Sequence, residues 1–400
     1  MTEQRDHRHT LALLLALTGT SAFSLQFFVP AMPDLVGIFQ TTPATVQLTL
    51  TLFMLTYGIF QAVYGPLSDR FGRKPVLLAA IVIYVAGSFL GAAAFSIEMV
   101  ILARVLQAVG AAAGFVLVPA IARDVYGHGG APRAMSYISM TNGFISAAGP
   151  LIGGLIHQYA GWRYGLLATG TLGTVMLVMT AMYLKESGVV VRQRVALLPI
   201  LRGYVTLAKT RGFMGYVLAV ASVNGVFYAF LAGAAFVAID NMGVSPSGFG
   251  LLMIPAVAFF MTASFFSDRV AARIGTNRVI LIGTLFTTVG AVGLMVVSLG
   301  GHQSVMALLI ASAFMGFGNG QVLPSCIAEA VSVDPTLSGT ASAWMGVSQM
   351  VVAALASQVY GFIHDGTTVP VALLMTVLAG CALLALVLIA QRRRVASSGV

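Results

Sequence analysis

The segment Gly65-Pro66-Leu67-Ser68-Asp69-Arg70-Phe71-Gly72-Arg73-Lys74-Pro75 decides how the chain is read. It holds one acid, three bases, two glycines and two prolines in eleven residues, and apolar runs flank it on both sides. A short, charged, turn-rich segment between two runs of membrane length reads as a tight hairpin at a membrane surface. Its basic excess places it on the cytoplasmic side, where Lys and Arg near helix ends concentrate.

Composition points the same way. Of 400 residues, 58% are hydrophobic and 8% charged, against roughly 25% charged in a soluble domain. The bilayer is therefore the expected solvent for most of the chain. A net charge of +9 in a soluble protein suggests nucleic acid. Here loop bias accounts for it, and no nucleic-acid partner is expected. Cys326 and Cys381 both fall in apolar runs, so neither a disulfide framework nor a zinc motif is indicated. The apolar run after polar Met1–Thr10 lacks a small-residue cleavage site before Pro30 and is expected to be a retained first span.

A bilayer core takes about 20 apolar residues per helix. Twelve runs fit: 11–32, 45–66, 76–95, 98–123, 134–157, 163–184, 212–238, 248–267, 279–299, 304–328, 338–361 and 369–390. With both termini cytoplasmic, 19 of the 21 bases fall in inner loops and tails. Arg163 is outer, and Arg104 lies within a span. The outer turns carry Asp34, Glu98, Asp240 and Asp365. This asymmetry sets the orientation.

The longest polar break, Lys185 to Arg211, has six bases and one acid, a net of five positive charges. It divides the chain into an N-terminal six-helix bundle (1–184), a basic cytoplasmic linker (185–211) and a C-terminal six-helix bundle (212–400). Apolar Val189–Val191 and Ala196–Leu201 suit an amphipathic helix along the membrane surface. A flexible linker fits the same residues.

The halves look like repeats. Ser68-Asp69-Arg70 returns as Ser267-Asp268-Arg269, and Val118-Pro119-Ala120-Ile121-Ala122-Arg123-Asp124 is echoed by Leu323-Pro324-Ser325-Cys326-Ile327-Ala328-Glu329. The offsets are 199 (268−69) and 205 (324−119) residues. Parallel repeats of this kind place a substrate site at their interface, near the midplane.

These residues resemble the major facilitator superfamily, and within it the twelve-span drug:proton antiporters. Gly65 to Leu77 matches the signature G-x-L-[AS]-D-R-x-G-R-[RK]-x-x-L. Leu102, Arg104, Gln107, Gly110, Ala111 and Ala112 match a second, L-x-R-x-x-Q-G-x-G-A-A, with Ala108 in place of its central glycine. Gly149, Pro150, Gly153 and Gly154 match the antiporter-type G-x-x-x-G-P-x-x-G-G, with Ile145 for its first glycine. Phe28-Val29-Pro30-Ala31-Met32-Pro33 and Thr42-Pro43-Ala44-Thr45-Val46-Gln47-Leu48 look like the Bcr/CflA branch, which includes exporters of bicyclomycin and amphenicol-type antibiotics. The resemblance implies an all-α fold of twelve spans in two six-helix pseudo-repeats, both termini cytoplasmic. It also implies a bacterial inner-membrane exporter powered by the proton gradient, without a bound cofactor. One departure stands out. Similar antiporters place an acid four residues before the first proline of the Pro-Ala-x-Pro turn, and this chain has Gln26 there. No Asp or Glu lies mid-span.

In the resembling family the opening loop latches the halves together. Gly65, Asp69, Arg70, Gly72, Arg73, Lys74, Asp268 and Arg269 are therefore expected to form a conformational gate. Asp69 is suited to accept hydrogen bonds from a helix N-terminus, and Asp124 and Glu329 to pair with the basic motifs. Topogenesis alone explains the same bases, and solvated helix ends explain the same acids. Arg104 in hydrocarbon costs about 2.5–3.5 kcal/mol on insertion scales, so it should face a polar partner. Gln26, Gln107 and Asn142 are candidates, and snorkelling toward Glu98 is the alternative. The equivalent arginine takes part in proton transfer or charge balance in the resembling family. Gly149-Pro150 with Gly153-Gly154 suits a hinge in the fifth helix, or close packing without motion.

Gln26 and Asn224, at matching places in the two halves, suit hydrogen bonds to a neutral polar ligand, and bonding between helices explains the same amides equally well. Phe27, Tyr57, Tyr137, Asn142, Phe227, Tyr228 and Trp344 are candidate lining groups, since aromatic side chains suit lipophilic ligands of varied shape. Lipid-facing or core packing explains each of them individually. Asp34 reads as an outer-loop acid, or as a proton access point if the outer vestibule is wet. No Walker-type loop, nucleophile elbow or metal-spaced histidine set appears in any span, so neither an enzyme nor a metal site is expected. The expected function is secondary-active export of small amphipathic antimicrobials by a protein sufficient as a monomer, with membrane lipids as its other partner. A facilitator or metabolite exporter of the same fold, without obligatory proton coupling, is the alternative.

Overall fold

The computed structural model describes residues 2–188 and 197–397. Most of the expected surface segment, 189–196, lies outside them. Among the described residues the secondary structure is entirely helical. The first half contains α1 (Thr2–Gln26), α2 (Met32–Ile38), α3 (Pro43–Phe71), α4 (Arg73–Ala92), α5 (Ile97–Ala160) and α6 (Trp162–Tyr183). Then come α7 (Leu197–Ala208), α8 (Arg211–Phe236), α9 (Pro246–Leu252), α10 (Ile254–Ile274) and α11 (Thr276–Leu299). The chain closes with α12 (Val305–Ser332), α13 (Ser338–Ile363) and α14 (Val369–Ser397).

Local sequence explains the breaks. Thr42 caps α3 by accepting the Thr45 N–H at 3.2 Å, and Pro43 occupies the first helical position, where a missing N–H costs nothing. Gly72, Gly161 and Gly275 are single-residue joints between consecutive helices, with φ of 95°, 98° and 89°. Only glycine takes this backbone without strain.

Eleven helices among the described residues are long and apolar enough to cross a membrane. The fifth sequence run, 134–157, is not among them. It is helical, as the second part of α5. Ser136, Ser139, Thr141, Asn142 and Ser146 dilute its apolar character. At about 1.5 Å per residue, an unbroken α5 of 64 residues would far exceed a hydrocarbon core about 30 Å thick. The helical backbone is interrupted at Gly127, with φ 58° and ψ −171°.

The chain divides into two compact units, Met1–Val195 with Ser245–Gly250, and Ala196–Val244 with Leu251–Val400. In the first, α5 is the central helix, packed by α1, α3 and α4, and α6 lies against α4 and α1. In the second, α8 packs on α12, α13 and α14, and α12 also contacts α10 and α11. The α7 helix docks on α13 and α8, with Leu207 buried.

Candidate functional site

Arg104 is the organising charge of the first unit. It is 0% exposed, which rules out the snorkelling alternative. One Nη1 group donates to the Ser24 carbonyl and to Gln107 Oε1, each at 2.8 Å. The guanidinium lies 4.1 Å from the Phe53 ring centroid, 5.0 Å from Phe28 and 5.7 Å from Phe27. Charge-assisted hydrogen bonds of about 1.5–3 kcal/mol and desolvated cation–π contacts of about 2 kcal/mol offset the burial cost. Among the described residues no carboxylate pairs with it, and its Nε and Nη2 have no hydrogen-bond partner.

The bonds continue outward. Gln107 Nε2 donates to Ser88 Oγ at 2.7 Å and to Thr169 Oγ1 at 3.2 Å, and Tyr84 and Ser24 share a hydroxyl bond of 2.5 Å. Four helices, α1, α4, α5 and α6, thus meet on one buried network. Of the three expected partners of Arg104, Gln107 is brought to it. Gln26 and Asn142 are not among its hydrogen-bond partners. Gln26 ends α1, is buried, and leaves its Oε1 unpartnered. Ser24 was hidden by its role, since it is the backbone carbonyl that accepts. Tyr84 and Ser88 had a legible signal: two polar groups one turn apart inside an apolar run.

The hairpin that joins α3 to α4 forms a second network. Arg73 bonds Asp69 through Nη1 at 2.6 Å and Asp124 through Nε at 3.2 Å, and it also donates to the Ser68 hydroxyl. Asp69 therefore pairs within its own hairpin. The carboxylate at the α4 N-terminus is Glu186, which accepts the N–H groups of Arg73 at 2.8 Å and Lys74 at 3.2 Å. Lys74 Nζ in turn donates to the Ala181 carbonyl of α6, at 2.9 Å. Arg70 is exposed and rests over Phe71 at 5.0 Å. Around Gly65 an added Cβ would meet nothing.

The echo in the second unit is built differently. Ser267 and Ser325 share a hydroxyl bond of 3.2 Å. Arg269 stacks on Phe265 at 4.8 Å, and Asp268 is exposed. Glu329 accepts from the Tyr216 hydroxyl at 3.4 Å, and among the described residues it forms no ion pair with Arg269. The expected pairing thus forms at Asp124 and not at Glu329, because Arg269 lies against aromatic rings instead.

The expected ligand contacts are divided between the two units. Phe27 lies beside Arg104, and Tyr57 stacks on Phe53 at 6.0 Å. Tyr137 is exposed and accepts from Arg133 at 3.4 Å, while Asn142 is half-buried on the same stretch of α5. Asn224 and Tyr228 are buried in α8, with Phe227 edge-on to Tyr228 at 5.2 Å. Trp344 packs instead on Tyr204 of α7 at 5.1 Å and Phe213 at 6.4 Å. In the glycine motif of α5, a Cβ on Gly153 would lie 2.0 Å from the Phe27 carbonyl oxygen. On Gly149 it would sit 3.3 Å from Gln26 Cβ, and Pro150 lies within the helix. A Cβ on Gly154 would fall 2.2 Å from the Pro246 carbonyl oxygen. These glycines serve close backbone packing.

A family model described as Major Facilitator Superfamily matches residues 14–357. The chain belongs to the major facilitator superfamily. It is a multi-pass membrane transporter and not an enzyme. It is 33% identical over 336 residues to a chloramphenicol resistance protein of Pseudomonas aeruginosa, covering 82% of this chain and 75% of that one. It is 26% identical to multidrug resistance protein D of Escherichia coli, covering 92% of each. Among solved structures, the chain resembles the nucleoside transporter NupG at TM-score 0.76 and 13% identity, covering 96% of this chain and 98% of that one. A peptide transporter of the POT family in complex with sulfate gives TM-score 0.77 at 13% identity, covering 96% and 94%. At such identities the structures speak for the fold alone.

Proposed function

We propose that the chain exports small, neutral or weakly charged amphipathic antimicrobials across a bacterial inner membrane, by alternating access and in exchange for protons. The relationship to a chloramphenicol resistance protein, at 33% identity, is the observation that carries this reading. Twelve spans form two six-helix halves, 1–184 and 212–400, joined by a cytoplasmic linker at 185–211, with both termini cytoplasmic. The hairpin network around Arg73 acts as a gate that stabilises one state, and Arg104 balances charge during the cycle. Gln26, Asn224 and the aromatic groups near them contact the substrate. The protein works as a monomer among membrane lipids, without a cofactor beyond the proton gradient.

A second reading, a facilitator or metabolite exporter without obligatory coupling, is favoured by Gln26. Its amide replaces the acid of similar antiporters and is buried with Oε1 unpartnered. Expression in an efflux-deficient bacterial host, challenged with chloramphenicol and chemically diverse antimicrobials, tests export. Resistance that vanishes in Arg104→Ala at equal membrane abundance supports it. No protection against any compound sinks it. In proteoliposomes, transport that ignores an imposed pH gradient leaves only the second reading.

A further inference from the structure

His157 lies in the last turn of α5 and meets Asp34 in the first turn of α2, with Nε2 and Oδ2 2.7 Å apart. The imidazole is 7% exposed and the carboxylate 51%. The two are separated by 123 residues, so the fold brings them together. A carboxylate carries no hydrogen, so the shared one sits on Nε2 and His157 donates. The other ring nitrogen, Nδ1, is buried and has no hydrogen-bond partner. His157 also lines a small cavity with Phe27, Phe28, Gly153, Trp162 and Gly165. Phe27 and Phe28 are also two of the rings that pack on Arg104.

Other charged groups near this corner are engaged elsewhere. Arg163 of α6 donates to the Ala94 carbonyl at 2.9 Å and lies over Trp162 at 4.4 Å. Tyr159 and Tyr164 are exposed. Segment 245–250 of the same unit meets neighbouring Gln158 through Ser247 at 2.6 Å and has no ionisable residue. The end of α1 and the start of α3 have none either. The second unit carries His364, 207 residues after His157 (364−157), and Asp240, 206 after Asp34 (240−34). There, however, the His364 Nδ1 is bonded to the Tyr360 hydroxyl at 2.7 Å.

We propose that the His157–Asp34 pair is the proton-binding site that couples transport to the proton gradient, an inference that rests on the antiport reading above. The half-exposed carboxylate keeps the pair in touch with water, and the buried imidazole carries the charge inward. Binding converts imidazole plus a proton to imidazolium. The added hydrogen resides on Nδ1, because Nε2–H stays on Asp34, which remains the balancing anion. In this conformation Nδ1–H faces no acceptor, and a buried unmade donor is costly. Protonation therefore favours any conformation that offers Nδ1 an acceptor, and release favours the present one. Coupling by this route needs no carboxylate at Gln26.

The test reconstitutes the full chain in proteoliposomes with radiolabelled chloramphenicol. It compares uptake driven by a pH gradient with exchange in its absence. In His157→Asn and Asp34→Asn the ratio of driven to exchange rates should fall at least tenfold, whereas a merely structural defect lowers both rates together. Tryptophan emission of the detergent-solubilised protein, titrated from pH 8 to 5, should show a step that His157→Asn abolishes. A driven-to-exchange ratio within twofold of wild type in both variants overturns the inference and leaves antiport standing. A wild type indifferent to the gradient overturns antiport, and the coupling role with it, even where the emission step is present.

Discussion

Glu186 accepts the backbone N–H of Arg73 at 2.8 Å, so a carboxylate just beyond α6 caps the start of α4. The cap joins two helices that also touch through Lys74 and the Ala181 carbonyl. Helix N-termini favour acceptors and negative charge there by roughly 0.5–2 kcal/mol. Glu186→Ala should lower the thermal unfolding midpoint in detergent, and Glu186→Gln should lower it less. Gly72→Ala should be worse than either. It forces Cβ onto a backbone with φ 95° and within 2.6 Å of Glu186 Oε2.

Arg104→Lys tests the shape of the buried guanidinium rather than its charge. Lysine has no planar face for Phe53 and no fork for Ser24 and Gln107. Transport of chloramphenicol should fall roughly tenfold or more, the equivalent of about 1.4 kcal/mol, with membrane abundance unchanged. Gln107→Leu should act in the same direction, because it removes the Arg104 acceptor and leaves Ser88 and Thr169 without their donor.

Gly153 and Gly149 separate packing from hinging. Gly153→Ala meets backbone, the Phe27 carbonyl, and should reduce the yield of folded protein. Gly149→Ala meets Gln26 Cβ at 3.3 Å, with Phe23 and the Phe27 nitrogen at an ordinary 3.9 Å, and should fold. Yield by size-exclusion chromatography gives the comparison, and equal yields would contradict the close approach of α1 and α5.

The two Ser-Asp-Arg hairpins should respond unequally. Arg73→Ala removes contacts to Asp69, Asp124 and Ser68, and should alter transport and stability measurably. Arg269→Ala removes stacking on exposed Phe265 and Phe266, and should stay within about 0.5 kcal/mol of wild type. Parallel unfolding and transport measurements decide.

His364 follows α13, and burial holds its imidazole below the ordinary value, with Asp365 acting against that shift. The unfolded chain therefore takes up the proton first. The stability contributed is complete above the ordinary imidazole value of about 6.5 and is lost as pH falls through the folded one. Unfolding midpoints should drop between pH 7.5 and 5, and the slope should be shallower in His364→Gln.

The helices and the membrane were legible because apolar runs and loop charge need no tertiary information. So was the burial of Arg104, which follows from the cost of its charge in hydrocarbon. The partners were not. A backbone carbonyl such as that of Ser24 carries no sequence signal, and Glu186 lies 113 residues from the N–H it accepts. The echo of Ser68-Asp69-Arg70 at Ser267 suggested two equal networks. The phenylalanines beside Arg269 redirected one of them. The fifth run met the length of a span, but its serines, Thr141 and Asn142 made it less apolar than the rest.

Gly127 joins the two parts of α5 with a backbone that lies close to a region reserved for glycine, and an added Cβ there would touch nothing. Space is free; the dihedral angles are not. Every single-base change that turns a glycine codon into another amino acid introduces a Cβ. Genetic drift therefore has no easy route through this position. A saturation library selected for chloramphenicol resistance should return glycine at 127 while tolerating variety at the equally open Gly65.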